Sequence, residues 1–324
     1  MTISIDRRKL MALLLTCSGA AMAQTAPWPT KPVKIVVPYA AGGPADVTAR
    51  EIAQKLSKIT GQSFVVENQG GAMGIPSLMA VTRAEADGHT LWMPALGNAV
   101  LQPLLSTQGG AEHLAKLRPV GMVTTSPHVL VASAKLPVKT VQELVAYARA
   151  NPGQVTFASA GVGGTAHLAA ELFKSLTKTD VVHVPYKGSS AATNDLASGR
   201  VSAMFSSLPS LQGIVDKGYV RVLASTAPSK SPATRALPLM SAAIPGFEYS
   251  SWYAMYAPRQ TPTAVITRIN GLLQQALKDP ELVGKIEPHG MELVPTGPEE
   301  VEAWVRRDED KWRAVIQKAG ITLD

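Results

Sequence analysis

The chain has 324 residues, 46% of them hydrophobic and 17% charged, and its mean hydropathy is +0.09. This composition is too apolar for intrinsic disorder, and the length suits about two domains with cores of their own. The 26 Gly and 24 Pro follow no period, which excludes collagen and repeat arrays, and the net charge of +7 is dispersed apart from Arg7, Arg8 and Lys9, which argues against a nucleic-acid footprint.

Residues 1–23 read as a secretory leader: a basic start at Arg7, Arg8 and Lys9, an apolar stretch over 10–15, then small residues ending in Ala21, Met22 and Ala23, with cleavage expected after Ala23. The stretch from Leu10 to Ala23 is too short to cross a bilayer and no later segment qualifies, so an exported, soluble mature chain with a net charge of +5 is expected. Cys17, the one cysteine, lies inside the leader. A lipid anchor on it competes with plain cleavage, for which the small-residue site is already complete. With the leader gone no thiol remains for a disulfide or a metal. Arg7 and Arg8 leave twin-arginine and general export both open.

Along the rest of the chain, β-branched runs alternate with helical periods, the pattern of βαβ units. An α/β fold with parallel sheets follows. A buried strand is predicted over 33–37, a turn-rich loop over 38–44 and a helix over 45–59 with Ile52, Leu56 and Ile59 on one face and Glu51 paired to Lys55 one turn on. Strands over 64–66 and 88–93 come next. The run 120–133 is strand-rich and unusually long, as if passing between domains. Thr140 and Glu143 form a capping box for a helix ending at Ala150, before Pro152 and Gly153.

The second half repeats the pattern, with strands over 155–159, 181–184, 201–205 and 220–225 and helices over 165–176 and 190–197. From Thr261, with Pro262 as first helical residue, the tail is strongly helical and ends in a long helix after 296–298. It has too few strands for a third domain and is expected to pack on the first. The predicted organisation is therefore 24–126 with 228–324 as domain I and 127–227 as domain II, with crossings near 126 and 227.

Chemistry concentrates in loops that join a strand end to a helix start. The first holds Tyr39, Ala41, Gly42, Gly43, Pro44, Ala45 and Asp46; the second holds Ser159, Gly161, Gly163, Gly164 and Thr165. A helix N-terminus presents unpaired N–H groups and about half a positive charge, so it can hold a carboxylate without Arg or Lys. The alternative for each loop is a tight turn that merely needs glycine. A third loop, Pro185, Tyr186, Lys187 and Gly188, echoes Pro38 and Tyr39, and Asn68 precedes a Gly-rich stretch; each is either a cleft neighbour or an exposed turn. All these loops follow strands, where ligands bind in open α/β sheets.

Catalytic signatures are missing: there is no G-x-x-x-x-G-K-[ST], G-x-S-x-G or H-E-x-x-H, and the six histidines have no close metal-ligand spacing. The glycines at 161, 163 and 164 lack the full dinucleotide spacing, and no cofactor is expected. His167, just inside a helix start, is read as a partner of the adjoining loop in preference to a general base. Asp46 is read as a cap for backbone N–H groups or an acceptor for a ligand hydroxyl, amine or water, against the plain alternative of an exposed first-turn acid.

These loops bring a family into view. The runs 35–46, 66–72, 86–91 and 158–161, His167 with Leu168, the run 183–188, Ser251 with Trp252, Ala257 with Pro258 and the final Lys311 with Trp312 resemble, in order, the Bug family, the periplasmic receptors of tripartite tricarboxylate transporters. The resemblance implies a two-domain Venus-flytrap receptor with a small carboxylate between its lobes, Tyr39 and 42–46 forming one wall, 159–165 the other, and Asn68, His167, Tyr186, Lys187 and Gly188 as neighbours. It departs from the family at Ala45, where a hydroxyl residue commonly precedes the aspartate, and at Ser206 and Ser207, where Asp-Asn is usual. The expected partners are that carboxylate and a transporter's membrane subunits or a sensor domain, the receptor itself being a monomer. The alternative is a secreted α/β enzyme acting on a small acid through His167 or Asp46.

Overall fold

The computed structural model describes residues 28–106 and 110–321. The leader, its cleavage site after Ala23 and Cys17 lie outside the described residues. Eleven strands among these residues form two sheets. The first contains β1 (Val33–Val37), β2 (Phe64–Asn68), β3 (Thr90–Trp92), β4 (Leu117–Pro127), β10 (Ser250–Pro258) and β11 (Glu292–Leu293), in the order β11-β4-β10-β3-β1-β2. The second contains β5 (Val129–Ser133), β6 (Val155–Ser159), β7 (Val181–Pro185), β8 (Ala203–Ser206) and β9 (Val220–Ser225), in the order β7-β6-β8-β5-β9.

In each sheet one strand has parallel neighbours on both sides: β1 between β2 and β3, and β6 between β7 and β8. The chain order reverses there, and the backbone leaving such a strand opens a crevice at its carboxyl end. The two Gly-rich loops leave these two strands. The fold therefore sets both at switch points, one per sheet.

The long run 120–133 breaks at His128. Pro127 ends β4 in the first sheet and Val129 starts β5 in the second. Thr226, at the return crossing, is bonded to it twice: the His128 N–H donates to Thr226 Oγ1 and the Thr226 N–H to the His128 carbonyl, both at 2.9 Å. The chain after Thr226 lies over the second sheet, where Phe247 stacks on Phe205 with centroids 5.3 Å apart, before β10 returns to the first. Glu292 of β11 also holds this strap, accepting from Ser229 Oγ at 2.6 Å and from the Lys230 N–H at 2.5 Å.

Helix α1 (Pro44–Thr60) starts where Gly43 is extended and Pro44 needs no amide partner, buries Ala45, Ala49, Ile52, Ala53 and Leu56 on one face, and ends at left-handed Gly61. The predicted Glu51–Lys55 pair does not form. Lys55 pairs with Asp279, and Glu51 accepts from Lys285 at 2.9 Å, because α7 (Pro280–Ile286), after α6 (Thr263–Leu277), brings opposite charges alongside α1. The capping box of α2 (Val141–Ala150) is half as expected: the Glu143 N–H donates to Thr140 Oγ1 at 3.1 Å, but the Glu143 carboxylate takes the N–H of Lys139 at 2.6 Å. In the second half α3 (Thr165–Thr177), α4 (Ser189–Ser198) and α5 (Leu208–Val215) follow their strands.

The terminal helix α8 (Pro298–Ala319) packs on β4 of the first sheet and also on α3 beside the second sheet. Trp312 is buried against Tyr249 with centroids 5.6 Å apart, and Trp252 donates its Nε1–H to Asp308 at 2.8 Å. One apolar core consequently runs behind both sheets, from Trp92 through Trp252 and Trp312 to Phe205 and Phe157.

Candidate functional site

At the end of β1, Gly42 takes φ +83° and donates its N–H to Asp46 Oδ2 at 2.9 Å. Asp46 is the third residue of α1, so its buried carboxylate reaches back to the loop, not to an amide within the helix. One turn on, Arg50 Nε lies 3.0 and 2.9 Å from the two Asp46 oxygens, and Arg50 Nη2 donates to Asn68 Oδ1 at 3.1 Å. Asn68 Nδ2 donates to the Tyr39 carbonyl at 3.1 Å, closing the brace. The Arg50 guanidinium holds the Asp46 carboxyl below the ordinary carboxylate range. Tyr39 packs its ring on the first-sheet core, and burial pushes its phenol well up. Ala41 is exposed and Ala45 buried. The amides of Gly43, Ala45 and Asp46 have no partner among the described residues, and they stand at the positive end of α1.

The second loop repeats this plan with different chemistry. Gly163, at φ +75°, donates its N–H to Nδ1 of His167 at 3.0 Å, and His167 is again the third residue of its helix, after extended Gly164 and then Thr165. A ring nitrogen that accepts is unprotonated, so the imidazole is neutral with its proton on Nε2, 3.9 Å from Glu171. His183 of β7 stacks on it, centroids 3.7 Å apart and planes 14° from parallel. His183 Nε2 lies 2.6 Å from Ser159 Oγ, which also accepts the Gly161 N–H at 3.2 Å. Burial lowers the affinity of His167 for a proton, and burial and then His167 lower that of His183 to a pKa of about 4.

The third loop is tied to the second: the Tyr186 N–H donates to the Ser159 carbonyl at 2.9 Å and the Gly188 N–H to the Ala160 carbonyl at 3.1 Å. The Tyr186 hydroxyl donates to Asp195 Oδ2 at 2.9 Å, and Lys187 is exposed. The structure thus brings Ser159, Gly161, Gly163, His167, Tyr186 and Gly188 into one bonded cluster, and Tyr39, Gly42, Asp46 and Asn68 into another.

A cleft of about 280 Å³ lies between the sheets. The first sheet contributes Gly42, Pro44 and Val47, then Thr124 and Ser126 of β4, Ser251, Trp252 and Tyr253 of β10, and Met291; the second contributes Ser207 and Pro209, and His128 stands at the crossing. Of the residues singled out in the sequence, Gly42, Pro44, Ser207, Ser251 and Trp252 line this cleft, while Tyr39, Ala41, Gly43, Ala45, Asp46, Asn68, 159–165, His167 and 186–188 are outside its lining. Thr124 is fully buried and its Oγ1 has no partner. His128 Nδ1 is 3.0 Å from the Tyr249 hydroxyl, and burial lowers its pKa to about 4. Sequence reasoning missed Val47, Thr124, Ser126, His128, Pro209, Tyr253 and Met291. Ser126 and His128 carried one readable signal, the break expected within 120–133.

This arrangement offers backbone donors for an anion and a partly apolar wall. Ser159 and His183 make a serine–histidine contact, but Ser159 is 1% exposed and its hydroxyl donates to the Gly161 carbonyl at 2.9 Å, so it stays within its own loop. Among the described residues no group of three His, Cys, Asp or Glu is placed to hold a metal, and no helix is long and apolar enough to cross a membrane.

Comparison with known proteins places the chain. The profile of the tripartite tricarboxylate transporter family receptor matches residues 48–321. Protein BugT of Bordetella pertussis is 32% identical over 313 residues, 96% of each chain. Among solved structures, Rpa4515 of R. palustris with adipate superposes with a TM-score of 0.80 at 34% identity, covering 91% of this chain and 99% of its own. MatC from Rhodopseudomonas palustris with bound malate gives 0.75 at 28%, covering 89% and 100%. The chain belongs to the tripartite tricarboxylate transporter receptor family, with the two-domain periplasmic-binding-protein fold that the resemblance implies.

Proposed function

Membership of that family is the premise from which we propose that this receptor captures a small organic carboxylate in the cleft between its sheets and hands it on unchanged to a transporter's membrane subunits or a sensor. The observation that carries the proposal is the set of unpartnered amides at Gly43, Ala45 and Asp46, beside a cleft that both sheets line. The bound adipate and malate of the two solved relatives agree with it. The lobes are 24–126 with 228–324 and 127–227, apart from the strap after Thr226 that touches both. They close by bending at His128 and Thr226, which brings the second loop, with Ser159, Gly161, Gly164 and Thr165, toward the ligand. The chain is exported, cleaved after Ala23, and works as a monomer.

A ligand copurifying with the protein tests this. Native mass spectrometry of freshly isolated receptor should show a bound small acid, and the same acid added back should raise the melting temperature and be recovered intact. Chemical conversion of that acid in the same tube would favour the enzyme alternative. Scattering that shows no compaction on saturation would remove the hinge.

A further inference from the structure

The floor of the cleft has chemistry of its own, and the inference drawn from it rests on the receptor reading above. Carboxylates have their place on the amides of the first loop and, once the lobes close, on the unpartnered amides of Gly164 and Thr165 at the start of α3. The body of the acid then lies over β4 and β10. There Tyr253 stands opposite Thr124 and Ser251 opposite Ser126, and His128 follows two residues after Ser126, all of them lining the cleft.

Three of these side chains are half-buried and have polar atoms left over. The buried Tyr249 hydroxyl has no partner but His128 Nδ1, 3.0 Å away, so it gives its proton to that nitrogen and the ring's own proton sits on Nε2. His128 Nε2–H has no partner among the described residues, and neither do the Ser251 and Tyr253 hydroxyls. Their neighbours are committed: Ser126 donates to the Gly290 carbonyl at 3.0 Å, and Ser207 Oγ lies 2.6 Å from Ser210 Oγ. The row is also uncharged, because burial lowers the His128 pKa to about 4 and raises that of Tyr253 to about 12. One imidazole donor beside two hydroxyls that donate or accept suits an uncharged oxygen, a hydroxyl or a carbonyl. A plain hydrocarbon body closing over the row strips three groups of water and leaves them unpaired. We propose that His128 donates its Nε2–H to an uncharged oxygen on the body of the ligand, with the Ser251 and Tyr253 hydroxyls completing the site, so that the receptor selects a hydroxy- or oxo-carboxylate over the plain acid. The contact falls on the residue whose backbone is bonded twice to Thr226 of the return crossing, so selection is made at the hinge.

Two series that hold the carboxylates fixed test this: glutarate against its 2-hydroxy, 3-hydroxy and 2-oxo derivatives, and pentanoate against the same three, titrated calorimetrically at pH 7.5 into the mature, ligand-free receptor. In whichever series binds, an oxygenated acid should bind at least about tenfold more tightly than the plain one, and the hydroxy and oxo members tell which oxygen is read. Ser251→Ala combined with Tyr253→Phe should bring that preference to within about threefold at a melting temperature near wild type. In nitrogen NMR the His128 Nε2 signal should move with the oxygenated acid and stay in place with the plain one. A smaller preference, or a His128 signal indifferent to the added oxygen, overturns the inference and leaves the receptor reading intact, as does a folded double variant that keeps the full preference. Silence from all the acids at millimolar concentration overturns both.

Discussion

The two glycine-rich loops solve one problem with opposite chemistry. In each, a left-handed glycine donates its N–H to the side chain four residues on, and that side chain sits at the same third position of the following helix: Gly42 with Asp46, and Gly163 with His167. The first brace is ionic and continues through Arg50 and Asn68 to the Tyr39 carbonyl. The second is a pair of neutral stacked imidazoles. A carboxylate so close to the proposed anion site would repel the ligand if it stood alone, and its pairing with Arg50 offsets that. The imidazole adds no charge, but it ties the loop's shape to a group that titrates in mildly acidic water.

The largest break in the comparison comes from the glycines themselves. Gly163 is buried and Gly42 exposed, and both have φ values that a β-branched residue adopts only under strain. Gly163→Val is expected to weaken ligand binding by about 1–3 kcal/mol and to lower the melting temperature. Gly42→Val should weaken binding comparably while leaving the melting temperature nearer wild type, since no atom lies within 4 Å of where its Cβ would stand. Calorimetry and thermal melts on both variants check the pair. Wild-type affinity in either one breaks the proposed role of that loop.

Acid separates the braces next. His167 and His183 have folded pKa values below the ordinary histidine value, so the folded protein binds fewer protons than the unfolded chain below about pH 6.5. Their contribution to stability is complete above that pH and is lost as the pH falls toward about 4, the folded value of His183. Glu171, 3.9 Å from His167 Nε2, opposes the loss only while it is ionised, and burial raises its own pKa. Asp46 is lowered instead, so its brace is complete above the ordinary aspartate range and fails only below it. Between pH 7.5 and 5 the first brace should therefore hold, while the melting temperature falls through the second loop and through buried His128 at the crossing, whose pKa is also lowered to about 4; His167→Asn should remove part of that slope where Asp46→Asn leaves it. Proton NMR of the histidine rings follows the same change site by site.

Much of this contrast can be read in the sequence, because its parts are local. The run 33–37 is apolar and β-branched throughout, and a glycine with a polar residue four positions on is visible in both loops. The cleft wall is different. Thr124, His128, Tyr253 and Met291 belong to segments far apart in the chain and meet only because β10 enters the first sheet between β3 and β4. Nothing local marks 250–258 as a central strand: it has no clean alternation, and its pairing with β4 contains two register shifts. The Glu51–Lys55 pair failed for the same reason, as its partners arrive on α7 from more than 200 residues away.

Asp46→Asn should have a smaller effect. The amide keeps an oxygen for the Gly42 N–H but loses the ion pair with a half-exposed Arg50, a change of about 0.5–1 kcal/mol in stability. Carboxylate affinity should hold within about threefold or tighten, since a negative charge leaves the anion site while the hydrogen bond stays. A large fall in affinity would mean that the Asp46 charge itself is recognised, by a ligand hydroxyl or amine, and that the first loop is more than a brace.

The smallest expected effect concerns the tyrosines that follow the prolines in the first and third loops. Tyr186 donates its hydroxyl to Asp195, which Arg200 also holds at 2.8 Å, so Tyr186→Phe leaves Asp195 with a partner at a partly exposed site. The change should be under about 1 kcal/mol, at the low end for a lost hydrogen bond, and ligand affinity should move less than about twofold. Tyr39→Phe is the sharper half of the test. Its ring packs on the first-sheet core, which phenylalanine can fill equally well, and its carbonyl, not its hydroxyl, carries the bond from Asn68. If Tyr39→Phe nonetheless weakens binding tenfold in calorimetry while the melting temperature holds, the buried hydroxyl reaches the ligand directly. The two loops would then differ in recognition as well as in how they are braced.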